Sequence, residues 1–438
     1  MQVPTRRTVL QGAAAAAAIH TARTPILGAN DRVNIAIVGV GGRGTAHVRE
    51  YLNLADAHVA AIVDVNQEAQ ERAQAMVEKA QGYKPKVFSD MRKAFEDKEI
   101  DAVSTATPNH WHVLTSYWAV QAGKDVYVEK PVSHNIFEGQ QLTAAARKYD
   151  RIVQVGQQSR STPHKMKAMG LLKDGIIGKL YMAKGLCYKR RKSIGRKPDE
   201  AAPPPGVDWD LFLGPAPMRP FNANRFKYNW HWFWDTGNGD IGNQGVHEMD
   251  IALWGLGAKT LPRSVASMGG KFVYDDDQET PNTQMAVFDL GDGVELQFEV
   301  RGLITTEEGG LKHRGGNVVG NLFYGSEGVM AVDGTGFQVW KGEERQLTLE
   351  EPAQRGSDSG GHFGNFLKAV KSRQVSDLNC DVEVGSVAAA FCHLANISYR
   401  LGRRLTLDAA AQRFVNDDEA NRMLTRNYRE PYVVPAKV

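Results

Sequence analysis

"VNIAIVGVGGRG", residues 33–44, decides the fold. Its first half is a short apolar run rich in Val and Ile and closed by glycine, the composition of a buried strand. Its second half, Gly39-Val40-Gly41-Gly42-Arg43-Gly44, fits G-x-G-x-x-G. "TAHVREYLNL" (45–54) follows with helical spacing. The glycines therefore lie between a strand and a helix, the context that gives this motif its meaning. Gly39 permits a tight turn, Gly41 lets backbone approach a pyrophosphate, and Gly44 lets the helix pack close to the sheet. The helix N-terminus, with Gly42 and Arg43 in its first turn, favours phosphate charge. "HVAAIVDV" (58–65) is a second buried strand, and Asp64 ends it about 20 residues past the loop. A carboxylate there binds ribose hydroxyls and repels a 2′-phosphate, which favours NAD over NADP.

The alternation continues outward. "QEAQERAQAMVEKAQ" reads as a polar-faced helix. "KVFSD", "DAVSTAT", "DVYVEKP" and "RIVQVGQQ" read as further strands, with the helix "WHVLTSYWAVQAGK" ended by Gly123. Strands alternating with helices of this length imply parallel βαβ units. After about Gln157 the texture changes. "AAPPPGVDWDLFLGPAP" (201–217) reads as a long irregular loop. "RSVASMGGKFVY", "TQMAVFDL" and "VELQFEVRG" alternate without intervening helices, which predicts a mostly antiparallel sheet. "GNFLKAVKSR" and "VGSVAAAFCHLANISYRLG" read as late helices. The expected class is α/β: an N-terminal Rossmann domain over 30–156 and a C-terminal α+β domain over 157–438.

Residues 1–29 stand apart. Thr5-Arg6-Arg7-Thr8-Val9-Leu10 precedes the weakly apolar run Ala13 to Ile19, the pattern of a twin-arginine export signal and a periplasmic destination. Cleavage after Ala22 and after Ala29 both fit. The net charge of +3 gives no global basic field for nucleic acid. No apolar run reaches the roughly 18 residues of a membrane span. Cys187, Cys380 and Cys392 are far apart and have neither disulfide nor metal spacing, so they read as buried thiols.

"ATPNHWH" (106–112) and "VEKPVS" (128–133), taken with the glycine loop, resemble the glucose–fructose oxidoreductase, inositol dehydrogenase and rhizopine-catabolism family (Gfo/Idh/MocA). The resemblance covers nearly the whole chain from about Asn30. It implies an open-faced second sheet that carries the substrate site and a homo-oligomer interface. It also implies that Lys130 sits beside the nicotinamide and the reacting hydroxyl. Pro108, Asn109 and His112 are implied to line the cofactor, with Glu129 and Gln157 nearby. Independently, Lys130 follows directly on a strand's carboxyl end, where doubly wound folds bind ligands. An ammonium there polarises an oxygen or shuttles its proton.

"WDTGNGDIGNQGVHEMDIALWGLG" (234–257) supplies a second constellation. Asn243, His247, Asp250 and Trp254 form one helical stripe, beside an apolar stripe of Val246, Met249 and Leu253. Gly242 and Gly245 are poor helix formers, so something is expected to press on that backbone. Resemblance to the family's Asp-x-x-x-His motif makes His247 the catalytic histidine. An imidazole of ordinary pKa, about 6.5, suits the proton transfer. Asn243 departs from that motif, since an amide orients a hydroxyl but takes no proton. In "YNWHWFWD" (228–235), Tyr228 and His231 are candidate substrate contacts in a sugar-stacking aromatic wall. "KRRKSIGRK" (189–197) is a basic run. It reads as a solvated or loop-ordering segment, a site for an anionic sugar, or a weak nucleic-acid patch, the first being favoured.

Export and NAD together call for a cofactor loaded before departure and recycled in place. The expected function is hydride transfer at C3 of a sugar or glycoside. The alternatives are an NAD-dependent glycoside hydrolase working by oxidation, elimination, addition and reduction, and a non-catalytic periplasmic sugar-binding protein. Membrane insertion, nucleic-acid binding and a metal are not expected.

Overall fold

The computed structural model describes residues 32–311, 317–354 and 359–438, so the segment read as an export signal lies outside the described residues. Six parallel strands form the first sheet: β1 Val33–Val38, β2 Ala57–Val63, β3 Lys86–Phe88, β4 Ala102–Thr105, β5 Asp125–Val128 and β6 Val153–Val155. Their order is β3-β2-β1-β4-β5-β6. The chain reverses direction across the sheet between β1 and β4, which opens a crevice at their carboxyl ends. β1, β4, β5 and β6 are almost wholly buried, as strands of a parallel sheet covered on both faces are.

The remaining strands are β7 Leu180–Lys189, β8 Asp199–Glu200, β9 Phe221–Asn222, β10 Ser264–Gly270, β11 Thr283–Gly291, β12 Val294–Arg301, β13 Asn317–Gly325, β14 Gly328–Asp333, β15 Gly336–Lys341, β16 Gln346–Pro352, β17 Leu405–Asp408 and β18 Arg413–Phe414. Ten of them form one sheet, ordered β16-β15-β14-β13-β7-β12-β11-β10-β17-β18. Every pairing in it is antiparallel except β7 with β12. The mostly antiparallel sheet expected from three alternating runs is therefore present, and it extends well beyond those runs.

The helices Gly245–Leu256 and Val382–Leu401 pack on this sheet and share its core. The second begins where the Asp381 side chain accepts from Glu383 N and ends at left-handed Gly402. It also faces the first sheet, because Val382 and Ala389 belong to that sheet's core while Phe391 and Leu394 belong to the other. Tyr432 and Val434, near the end of the chain, return to the first core as well. All three cysteines are buried and free, as expected.

One expectation fails. The Pro-rich stretch read as irregular holds a helix, Trp209–Leu213. Asp208 caps it by accepting from Leu211 N, and Gly214 at φ +46° ends it. The Trp209 and Phe212 rings stack at 4.9 Å, with Phe221 and Phe226 edge-on around them. This strap is tied to the residues just past Asp64. Gln67 N donates to Gly206 O and Asp208 N to Val65 O, each at 2.9 Å. The prolines mark a turn, but burial of the aromatic cluster orders the segment on their C-terminal side.

Candidate functional site

The glycine loop makes an open cradle at the end of β1. Gly39 has φ +79°, and a Cβ there would lie 2.9 Å from Thr107 N. A Cβ on Gly44 would stand 1.7 Å from Gly39 O, so only glycine lets the Gly42–Leu52 helix approach. Hypothetical Cβ atoms on Gly41 and Gly42 meet nothing within 4 Å. That empty space beneath a helix N-terminus suits a pyrophosphate. Asp64 stands at the rim, its Oδ2 accepting from Val40 N at 2.7 Å and its Oδ1 from Asn66 N at 2.9 Å. Burial pushes this carboxyl up, while those amides and Arg72 oppose the shift. Each oxygen keeps a lone pair for a ribose hydroxyl.

These groups open into a cleft of about 800 Å³ whose walls include Pro108, Asn109, His112, Glu129 and Lys130. Asn109 Nδ2 donates to Asn238 Oδ1 at 2.9 Å, linking this wall to the second domain. His112 is a brace. Its Nδ1 lies 2.6 Å from Pro131 O and its Nε2 2.8 Å from Thr107 O, joining the loops after β4 and β5. Burial pulls its pKa down. Gln157 does not reach the wall. It is buried with its Oε1 unpartnered, and Gln158 lines the cleft instead. The backbone turns into a 3-10 helix at Gln158, directly after β6 and Gln157.

Glu129 ties the floor together. Its Oε1 is 2.7 Å from Arg43 Nε and 3.0 Å from His47 Nε2, and accepts from Gln158 Nε2 at 3.1 Å. Burial would raise this carboxyl, yet Arg43 and His47 bring it well below the usual carboxylate range. His47 was not singled out from the sequence. It sits on the buried face of the first helix, and nothing in its spacing distinguishes it from a core residue.

Lys130 crosses the cleft. Its Nζ donates to the Asn243 carbonyl at 2.7 Å, and burial draws its pKa below the ordinary lysine value. Asn243 Nδ2 donates to the Tyr228 hydroxyl at 3.0 Å. His247 lines the same wall with its Nδ1 buried and unpartnered. Burial, reinforced by Lys130, holds this imidazole well below its ordinary pKa. The expectation of an unperturbed histidine is therefore corrected: burial disfavours the charged form of His247. His231 also lines the cleft, stacked on Trp230 with ring centroids 3.6 Å apart.

The polar stripe on 243–254 divides in two. The helix breaks at Gln244, between Gly239–Asn243 and Gly245–Leu256. Asn243 and His247 face the cleft. Asp250 instead takes Arg160 in a bidentate pair at 2.8 Å, and the Arg160 guanidinium lies 4.9 Å over the Trp254 ring. The pressure expected on Gly242 and Gly245 comes from the Asn238 side chain and the Phe298 ring. With Asp250 only 1% exposed, Arg160→Met leaves a buried lone carboxylate. Chemical denaturation should report a loss of about 3–5 kcal/mol, with dinucleotide affinity unchanged in the folded fraction.

The basic run also divides. Arg191 forms a buried bidentate pair with Asp240 at 2.6 and 3.0 Å, and its Nη1 reaches the Tyr228 hydroxyl. Lys189, the last residue of β7, donates to Gln244 Oε1 at 2.9 Å. Both line the cleft, whereas Ser193 and Arg196 order the loop against Asp276 and Asp275.

An open phosphate-sized gap under helix amides, in one cleft with a lysine that reaches the second domain, fits a nicotinamide dinucleotide, and the fold is that of a two-domain NAD-binding oxidoreductase. The chain belongs to the Gfo/Idh/MocA oxidoreductase family: residues 33–157 match its NAD-binding Rossmann fold, and 161–277 with 326–434 match its C-terminal alpha/beta domain. Among curated proteins it is similar to a "Glycosyl hydrolase family 109 protein" of Shewanella sp. (strain W3-18-1), 25% identical over 154 residues. It is likewise 25% identical over 152 residues to an "Alpha-N-acetylgalactosaminidase" of Shewanella oneidensis. These alignments span 34% of this chain and only 34% and 33% of the relatives' lengths. Among solved structures, a levoglucosan dehydrogenase with NADH and levoglucosan superposes with a TM-score of 0.65 at 18% identity, over 86% of this chain and 100% of that one. The WlbA dehydrogenase of Bordetella pertussis, in complex with NADH and UDP-GlcNAcA, gives 0.64 at 18% identity, over 86% and 99%. At such identities the likeness is one of fold. Among the described residues no helix is long and apolar enough to cross a membrane.

Proposed function

We propose that the protein oxidises a sugar or glycoside by hydride transfer at C3, with NAD tightly bound and recycled within the site. The observation that carries this reading is that Lys130, hydrogen-bonded to the Asn243 carbonyl, and His247 line the same cleft as the Gly41 cradle. Bound NAD supplies the hydride acceptor. Gly41, Gly42, Arg43 and Asp64 would hold it, and the strap tied to Val65 and Gln67 adds Leu211 and Phe212 to the cleft lining. Lys130, drawn down by burial, takes the proton of the substrate hydroxyl as hydride leaves the carbon. Asn243 and Tyr228 orient the sugar, and His231 with Trp230 offers an aromatic face to it.

A second reading is favoured by the place of His247 in the same cleft as Lys130 and by the similarity to glycosyl hydrolase family 109 proteins. A ketone at C3 acidifies the proton on C2. His247 takes that proton, the C1 substituent leaves, water adds, and the ketone is reduced again, giving net hydrolysis without net redox change. Incubation with aryl glycosides in deuterated water separates the two. Deuterium at C2 of the released sugar selects the glycosidase, and product without it excludes that route. No absorbance change near 340 nm with any sugar would favour a non-catalytic binding protein.

With burial holding the His247 pKa well below its ordinary value, the acid limb of kcat/KM against pH is expected to follow Lys130. Rate should rise with pH as Lys130 loses its proton, below the ordinary lysine value. A limb near pH 6.5 that vanishes in His247→Gln would contradict this.

The twin-arginine pattern supports periplasmic export. Met268 and Met285, paired in register and exposed by 73% and 46%, support assembly through the open sheet face.

A further inference from the structure

We propose that the substrate carries an anionic group, a carboxylate or a phosphate ester on the sugar, and that Lys189 selects it. This rests on the sugar-oxidising reading above and names its substrate class.

Charge in the cleft is unevenly distributed. Near the glycine loop, Asp64 and Glu68 face the cleft with Arg72, and Glu129 is matched by Arg43. The second domain adds Lys189, Arg191 and Lys227 to the lining, and Lys130, next to Glu129 at the end of β5, reaches it through the Asn243 carbonyl. The carboxylate paired there, Asp240, is 3% exposed and already held bidentately by Arg191. Lys130 has the Asn243 carbonyl and Lys189 the Gln244 amide oxygen, both neutral acceptors. The Lys227 side chain makes no hydrogen bond or ion pair among the described residues.

Among the described residues the direct hydrogen-bond partner of Lys189 is neutral, the Gln244 amide oxygen. Glu248 lies just behind it, and its Oε1 is 3.4 Å from Gln244 Nε2. Burial raises that carboxyl to about 8, which weakens the negative charge it sets behind Gln244. Gln244 is thereby held between Glu248 and Lys189, with its oxygen turned to the ammonium. Lys189 is half-buried at the end of β7, so its direction is set by the strand and not by a free side chain. A lysine positioned in this way, lacking a carboxylate, is a point charge that an anionic ligand completes. It lies on the second domain, across the cleft from the Gly41 cradle, so a dinucleotide pyrophosphate bound there does not account for it.

The test uses the full-length, NAD-loaded protein and calorimetric titration with methyl glucuronide, glucose 6-phosphate and methyl glucoside. An anionic sugar should bind about tenfold to a hundredfold tighter than the neutral glucoside, the advantage shrinking with salt. The glucuronide and the phosphate arms decide which anion is read. Lys189→Met should abolish the advantage and Lys189→Arg should recover part of it, both with NAD still bound as a control for folding. Equal binding of neutral and anionic sugars, no binding of any of them, or an advantage that survives Lys189→Met overturns the proposal. Neutral glucoside that binds equally and is oxidised leaves the sugar-oxidising reading intact while this inference falls. Lysine-dependent anion binding without any 340 nm signal does the reverse.

Discussion

Lys130→Ala is expected to lower turnover about 10³-fold while leaving bound NAD and the fold in place. The side chain ends on the Asn243 carbonyl, so its removal frees one acceptor at a partly solvated wall and opens no core cavity. The Glu129 network keeps Arg43 and His47 as partners without it. A fall in kcat with unchanged NAD content and unchanged thermal midpoint is therefore the signature. Loss of NAD with the activity would instead make Lys130 a binding residue. His247→Ala should cost less in the oxidation half-reaction than in any elimination step, because its ring serves the carbon-bound proton. Measuring both variants with one substrate separates the two roles.

The second large effect is a contrast between two glycines. Gly44→Ala places a methyl against the Gly39 carbonyl, backbone against backbone, and neither helix nor turn has room to yield. Destabilisation of about 3 kcal/mol or more is expected by denaturant titration. Gly41→Ala meets no protein atom and should cost about 1 kcal/mol or less. Its methyl instead occupies the cradle, and NAD affinity should fall about tenfold to a hundredfold. Equal stability losses, or undiminished NAD affinity in Gly41→Ala, would mean that the cradle is a turn and not a binding site.

The cradle was legible because a strand, a glycine loop and a helix in succession leave one geometry, set within twelve residues. Lys130 was legible for the same reason, as the residue just past a strand in a doubly wound sheet. Periodicity on 243–254 assumed one continuous helix, but the break at Gln244 separates Asn243 from the rest, and the stripe splits between the cleft and Arg160. Arg160 lies 90 positions from Asp250, and its pairing turns half the stripe into a structural device. The basic run hid Lys189 and Arg191 because β7 was not seen, and only its end directs them into the cleft. Neighbouring Gln157 and Gln158 differ only by a local turn after β6, which no pattern of side chains reports. The lowered pKa of His247 is a product of tertiary burial and so was invisible to its motif.

The most direct test is to purify the full-length protein without added nucleotide, identify and quantify the dinucleotide released on denaturation, and then add sugar to the native protein alone. Stoichiometric NAD and a rise near 340 nm with no free nucleotide present are the expected results. Protein that emerges empty and binds no dinucleotide on titration would contradict a retained cofactor and, with it, the assignment of this cleft.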